Sequence, residues 1–160
     1  MKRILISMFV LGSILLFSAC EDEQNDETYY YIRNSSCHKV SISYTMLGKS
    51  YEYLLRNGEV QTLTQTEKEA LTRHDNVDSV TFVFDDTIRM VHRAVCYINP
   101  ATGVDIWKLY PKDHNILSSS YKCWPQTIHD VSDSQVMSSY DYTITRADYQ
   151  VALSMKQQNK

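Results

Sequence analysis

Hydrophobic and polar residues alternate with a period of two along most of the chain after residue 27. The clearest run is KVSISYTM, in which serine and threonine separate the apolar Val40, Ile42, Tyr44 and Met46. Successive side chains of a strand point to opposite faces, so this pattern predicts a half-buried β-strand. Similar runs predict further strands in TYYYIR, SYEYLL, EVQTLT, DSVTFVF, TIRMVHRAV and SSYDYTITR.

Turn residues between these runs predict how the strands connect. Asn57-Gly58 separates SYEYLL from EVQTLT, and both residues tolerate the positive φ of a two-residue hairpin turn, so these two runs are expected to pair. Asp85-Asp86 likewise predicts a hairpin between DSVTFVF and TIRMVHRAV. The region between 99 and 136 is less regular, and GVDIWKLY and NILSSSYKCW predict weaker strands there.

Two segments predict helix. TEKEALTRH is rich in helix-forming residues and follows Thr64 and Thr66, either of which can cap a helix, so a short helix is expected near residues 66–74. ADYQVALSM predicts a terminal helical turn.

Seven or eight short strands with little helix predict a mostly β protein, specifically an antiparallel β-sandwich, Ig-like or related, with a barrel as the alternative. The 12 tyrosines agree with this fold, since a tyrosine ring packs on a sheet while its hydroxyl stays wet. The alternative is an exposed aromatic surface.

The first twenty residues predict an export signal. Met1-Lys2-Arg3 is a basic start, and the uncharged run 4–17 is shorter than the ~20 residues of a transmembrane helix. Phe17-Ser18-Ala19-Cys20 resembles the lipobox of bacterial lipoproteins, although leucine is usual at the first position. The resemblance implies cleavage before Cys20 and acylation of its thiol and amine, which anchors the chain to a membrane through acyl chains. The alternative is a plain secretory signal.

An acidic run follows the cysteine at once. Residues 21–27 hold five acids and no apolar residue, so they predict a solvated linker. This run is similar to the export signal of surface lipoproteins of Bacteroidota, and the chain as a whole resembles small Bacteroidota lipoproteins of unknown function. The predicted organisation is therefore a signal peptide at 1–19, a lipidated cysteine and acidic linker at 20–27, and a single β-sandwich domain at 28–160. The expected location is the outer membrane, displayed at the cell surface, with the periplasmic face as the alternative.

Charge and composition limit the classes of partner and chemistry that the sequence supports. Residues 28–160 contain fourteen acids and fourteen lysines or arginines without a basic block, so nucleic acid is not an expected partner. Four glycines form no phosphate-binding loop, and no cofactor is expected. The five histidines show no metal-ligand spacing, and no catalytic set is visible in the sequence. Asp85-Asp86 reads as a solvated turn, with a calcium or paired-carboxylate site as the alternative.

Three cysteines remain beyond Cys20. In an oxidising compartment one disulfide is expected, with Cys96–Cys123 preferred among three open pairings, and three free thiols are the alternative. Asp86-Thr87-Ile88 is similar to the O-glycosylation pattern of Bacteroidota, which implies Thr87 as an acceptor.

The resulting hypothesis is a lipid-anchored, non-enzymatic module that binds a glycan or a protein at the cell surface. Trp107 and Trp124 are the candidate residues for stacking on a sugar, and burial in the core is the alternative for both. One rival hypothesis is a small envelope hydrolase built from scattered Asp, Glu and His. Another is a structural accessory subunit of a surface complex, which an exposed apolar patch or an open sheet edge would favour.

Overall fold

The computed structural model describes residues 27–73, 76–112, 114–132 and 135–158, so the signal segment and Cys20 lie outside the described residues. The described segments contain nine strands and two helices. In chain order these are β1 Glu27–Ser35, β2 Val40–Met46, β3 Lys49–Leu55, β4 Val60–Leu63, α1 Gln65–Thr72, β5 Ser79–Phe84, β6 Ile88–Ile98, β7 Asp105–Tyr110, β8 Gln126–Ser132, β9 Gln135–Thr145 and α2 Arg146–Gln158.

The strands form two sheets, with strand orders β4-β1-β9-β8 and β3-β2-β5-β6-β7. The prediction of a mostly β sandwich is confirmed. Every pair of neighbouring strands is antiparallel except β1 and β9, which run parallel. Parallel neighbours cannot be joined by a hairpin, and here most of the described chain lies between the two strands.

The core lies between the sheets and follows the predicted alternation. In β2 the four residues Val40, Ile42, Tyr44 and Met46 are buried, while the serines and threonine between them are not. The opposite sheet contributes Tyr30 and Ile32 of β1 and Tyr142 and Ile144 of β9. The largest fully buried side chains are Trp124, Tyr142, Phe82, Phe84, Ile32, Ile42, Leu71, Met90, Ile116, Leu117, Ile144 and His92.

Both predicted helices form, with one longer than expected. The first begins at Thr64, whose hydroxyl accepts from the Glu67 amide while the Glu67 carboxylate accepts from the Thr64 amide. This capping box satisfies two amides that a helix start leaves open. The second helix runs for 13 residues instead of a single turn. Neither helix in the described part of the chain is long and apolar enough to cross a membrane.

The Asn57-Gly58 turn does not join a hairpin, and this part of the prediction is wrong. β3 pairs with β2 in one sheet, whereas β4 pairs with β1 in the other, so the turn carries the chain between the sheets. Gly58 has the expected positive φ of 86°. Its amide donates to the Asn34 carbonyl at 2.7 Å, a contact with β1 that replaces pairing between β3 and β4.

Asn34 holds this corner together. Its side chain is fully buried, and its Nδ2 donates to the carbonyls of His38 and Leu55 at 2.7 and 2.9 Å. Its Oδ1 accepts from the amide and hydroxyl of Ser36 at 3.0 and 2.7 Å. One amide group therefore satisfies backbone groups at two of the connections that change sheets, from β1 to β2 and from β3 to β4.

The connections define two ends of the sandwich. Four residues join β1 to β2, so the end of β1 and the start of β2 lie together, and α2 begins here too because β9 is parallel to β1. We call this the helix end. β6 runs in the same direction as β2, since both are antiparallel to β5. The start of β1, at Glu27, and the last residues of β6 therefore lie at the opposite end.

A hairpin projects from that opposite end. β5 pairs with β6 only as far as Arg93, opposite Ser79, and the five residues 94–98 pair with β7 alone. We call residues 93–110 the arm. Most of its side chains are exposed on both faces of the two strands.

Replacing Asn34 should destabilise the fold more than replacing an asparagine outside the core, such as the half-buried Asn99. Asn34→Ala leaves buried carbonyl and amide groups without partners, which costs about 2–4 kcal/mol of unfolding free energy. The matched control is Asn99→Ala, since Asn99 makes one exposed side-chain bond, to the Ala101 amide, and should cost about 1 kcal/mol or less. Urea denaturation of both variants measures this, and equal losses would contradict the role of Asn34.

Candidate binding groove and histidine cluster

A groove runs along the outer face of β6. Met90 and His92 point into the core, so the alternate residues Arg89, Val91 and Arg93 point outward. The groove has a volume of about 840 Å³. It is lined by Thr87, Arg89, Val91, Arg93, Val95, Tyr110, Met155 and Lys156, which come from β6, the turn before it, β7 and α2.

The lining of this groove is cationic and contains no carboxylate. Arg89, Arg93 and Lys156 have no ion-pair partner among the described residues. Two of the cations are held by neutral acceptors: Arg89 Nη2 donates to the Thr81 hydroxyl at 3.3 Å and Lys156 Nζ donates to the Thr87 carbonyl at 3.4 Å. The groove therefore has unneutralised positive charge above an apolar floor, which suits an anionic ligand.

A histidine–aspartate pair lies at the start of α2. His114 Nδ1 is 2.8 Å from Asp148 Oδ1, and Asp148 Oδ2 accepts from the Thr145 amide and hydroxyl at 2.7 and 2.8 Å. Burial raises the pKa of Asp148, but the hydrogen bonds from His114 and Thr145 outweigh it and hold that pKa below its ordinary value. A second cavity, of about 320 Å³, adjoins the pair and is also lined by Pro111 and Val151.

Two further buried groups adjoin the pair. The Tyr142 ring stacks on His114 with 4.6 Å between ring centroids, and burial raises the pKa of Tyr142 well above its ordinary value. His92 is fully buried beside Phe82, and its Nδ1 accepts from the Ile116 amide at 3.1 Å. Burial lowers the pKa of His92 to about 3, so the ring is neutral and its proton is on Nε2. That Nε2–H has no partner among the described residues.

His114 and Asp148 are arranged like the histidine and aspartate of an acid–base site. A buried aspartate on Nδ1 orients an imidazole so that Nε2 can exchange a proton, as in a catalytic triad. No serine, threonine or cysteine side chain in the described ranges is hydrogen-bonded to His114. Those ranges also contain no group of three or more metal-ligating side chains. What the geometry does show is a cap: Asp148 satisfies the amide of Thr145 at the helix start.

The two predicted stacking residues lie in different environments. Trp107 is 40% exposed on β7. Trp124 is 1% exposed, and its Nε1 donates to the Ile116 carbonyl at 3.1 Å. Trp124 is therefore a core residue and offers no face to a ligand in this structure, because both its ring and its N–H are already occupied.

No disulfide joins the three cysteines of the described residues. Cys96 is exposed on the arm and Cys123 is buried, and both are free, as is the exposed Cys37. The preferred pairing of Cys96 with Cys123 is thus absent from this structure.

The Asp85-Asp86 turn is confirmed as a hairpin between β5 and β6, with φ of 46° and 60°. Its two carboxylates face separate cations or donors: Asp85 Oδ2 is 2.6 Å from His38 Nδ1, and Asp86 Oδ2 is 2.6 Å from Lys39 Nζ. The hydrogen bond from His38 lowers the pKa of Asp85. Thr87 follows in the same turn and is exposed at the mouth of the groove, so its predicted glycosylation is sterically open.

The groove was not anticipated from the sequence, although part of the signal was present. In TIRMVHRAV, Arg89 and Arg93 are four residues apart, so on a strand they share one face, and Met90 lies on the other. Lys156 and Tyr110 come from elements distant in sequence, and no local pattern places them beside β6.

Comparisons with known proteins gave no relative: no family model matches the chain, and neither does any curated protein or any solved structure.

The buried His92 should make the fold sensitive to acid. The unfolded chain binds a proton at this histidine below about pH 6.5, whereas the folded protein does so only near pH 3. Stability is therefore lost as pH falls through this window, by up to about 1.4 kcal/mol per pH unit. Asp148, with its lowered pKa, adds a loss only below the ordinary carboxylate range.

Urea denaturation between pH 7 and 4 tests this assignment. The variant His92→Gln retains an acceptor for the Ile116 amide and should show a clearly shallower loss of stability across this range. His129→Gln, at an exposed position on β8, is the matched control and should keep the wild-type slope. If His92→Gln also keeps that slope, His92 is not the source of the acid sensitivity.

Proposed function

We propose that this protein is a lipid-anchored envelope protein, tethered through acyl chains on Cys20, whose groove binds an acidic glycan. The tether is supported by the lipobox-like 17–20 and the acidic run after it. The observation that supports the ligand class is the cationic groove on β6, lined by three cations and no carboxylate.

The remaining lining residues suit a sugar. Val91, Val95 and Met155 offer an apolar floor, and Tyr110 presents an aromatic ring at 47% exposure. A pyranose ring has an apolar face that packs on such a surface, while a uronic carboxylate or sulfate pairs with an arginine. The cations together with the apolar floor favour an acidic glycan over a small inorganic anion, because such an anion has no apolar surface to pack on the floor.

The position of the groove favours a glycan over an acidic peptide. Extended peptides bind sheet proteins by adding a strand to an open edge, where backbone groups are free. The groove instead is lined by side chains on the outer face of β6; before Arg93, β6 pairs with β5 alone, and α2 contacts it. At about 840 Å³ it is as large as many ligand sites.

Binding should require the groove arginines and should prefer acidic chains. Arg89→Gln/Arg93→Gln removes two charge-assisted contacts, so affinity for oligogalacturonate should fall at least about tenfold. Neutral galactose oligomers of the same length should bind more weakly to the wild type. Isothermal titration of the full chain in detergent micelles measures both, and added salt should weaken only the acidic ligand.

The matched control is Arg56→Gln, because Arg56 is 80% exposed by side chain and lies outside the groove. It should bind as the wild type does. Equal affinity for acidic and neutral oligomers, or an equal loss in Arg56→Gln, would overturn the acidic-glycan assignment.

A second candidate function, glycan hydrolysis, is favoured by one observation: the His114–Asp148 pair beside its own cavity. The same mixtures distinguish the two functions when the chain length of the oligomer is followed over time. Shortening of the oligomer that His114→Gln abolishes would make the protein a hydrolase. If the oligomer is bound but keeps its length, hydrolysis is rejected and binding remains the proposed function.

A further inference from the structure

Exposed apolar side chains concentrate on the arm. Of the thirteen large hydrophobic residues that are exposed in the described ranges, six lie within the 18 residues 93–110. These are Tyr97, Ile98, Val104, Ile106, Trp107 and Tyr110. A soluble surface scatters such residues singly, so a cluster of this density indicates an interaction site.

The side chains are graded along the arm. The aliphatic Ile98 and Val104, at 70% and 61% exposure, flank the turn at its tip. Tyr97 and Trp107 come next, and the cation Lys108 lies over the Tyr97 ring at 4.8 Å. Asp105, the one acid of the arm, pairs with Ile98 and so lies at the tip beside these aliphatic residues. Apart from Asp105, the order from aliphatic to aromatic to cationic is the order of groups met on leaving a bilayer through an anionic head-group layer.

The apolar residues lie on both faces of the arm. Cross-strand partners share a face, so Cys96 and Trp107 lie on one face, while Tyr97 and Ile106 lie on the other. A protein partner docking on a flat surface would cover one face only. Apolar groups all round a narrow hairpin suit a medium that surrounds it, which is a property of lipid.

The start of the domain lies at the same end as the arm. Glu27 begins β1 at the end from which residues 94–98 project, and those five residues reach about 16 Å beyond β5. The seven residues 20–26 between Cys20 and β1 span at most about 25 Å. A membrane that held Cys20 would therefore be within reach of the arm tip.

We propose that the arm inserts its tip, Ile98 to Val104, into the head-group layer of an anionic lipid surface. The inference rests on the proposed tether at Cys20, which supplies the nearby membrane. Lys108 pairs with lipid phosphates, and the aromatic rings lie at the interface. Tether and arm together give the domain one orientation.

That orientation presents the groove to solvent. Arg89 is nine residues before Ile98 on the same strand, about 30 Å along β6 at 3.3 Å per residue. Most of the groove, from Thr87 to Val91 with α2 beside it, therefore lies near the helix end and away from the bilayer. Arg93 is at the boundary, lining the groove and beginning the arm.

Tryptophan emission can test the insertion directly, since the chain has two tryptophans and Trp124 is buried. The lipidated full chain is reconstituted into phosphatidylglycerol vesicles, with or without bromine on the upper acyl-chain carbons. Bromine should quench the emission of the wild type. Trp107→Phe, which retains only the core tryptophan, should lose the quenching.

Matched apolar substitutions locate the contact. Ile98→Ser/Val104→Ser should reduce the quenching of Trp107, because the tip no longer holds the arm in lipid. Val60→Ser/Ile128→Ser removes comparably exposed aliphatic residues on the other sheet and should leave it unchanged. Each of these positions is at least 39% exposed, so the folds should survive.

Two readouts separate failure of the arm from failure of the tether. The mass of the Cys20 peptide shows whether the chain is acylated, and an unmodified cysteine would overturn both proposals. An acylated chain without quenching would overturn the arm alone. A blue-shifted but unquenched Trp107 would also overturn it, and would assign the arm to a second copy or another protein.

Discussion

The fold depends on a polar corner that lets the chain change sheets twice in one place. At the β1–β2 connection and at the β3–β4 turn, backbone groups leave their ladders in a buried region, and an unpaired group there is expensive. Asn34 supplies both donors and acceptors from one buried amide. Its own backbone bonds Glu59 and Gly58. Because β1 is central in its sheet, its position relative to β2 sets how the two sheets face each other.

The functional features follow from this arrangement. With β1 parallel to β9, the last strand ends beside the corner, and α2 begins there under the Thr145–Asp148 cap. This places Lys156 and Met155 against the outer face of β6 and so forms one wall of the groove. His114 bonds Asp148 in the first turn of the same helix, so the pair that holds the start of α2 also helps to place that wall. The arm projects from the other end, beside the start of the domain.

Local alternation predicted strands such as β2 and β5 because each of these two buries one face. It did not predict how the strands are arranged. Gly58 has the positive φ expected of a hairpin turn, but its amide bonds the distant Asn34, and β4 pairs with β1. The parallel pairing of β1 with β9 leaves no local mark in the sequence. From the sequence, Trp107 and Trp124 were equivalent candidates for stacking on a sugar. Only the tertiary structure shows that Trp124 is buried, with its Nε1 bonded to the Ile116 carbonyl. The sequence alone shows that Arg89 and Arg93 share one face of β6, because an even number of residues separates them along a strand. The contribution of Lys156 to the groove depends on the tertiary fold.

The central claim is that one end of the sandwich faces a membrane and the other faces outward. Two exposed cysteines report on it: Cys96 on the arm and Cys37 at the helix end, with the buried Cys123 as an unreactive reference. The measurement is the rate at which a charged, water-soluble maleimide labels each thiol of the lipidated chain, first in detergent and then in anionic vesicles. The account predicts that vesicles slow the labelling of Cys96 and leave Cys37 unchanged. Equal rates at both thiols, or protection of Cys37 alone, would contradict it.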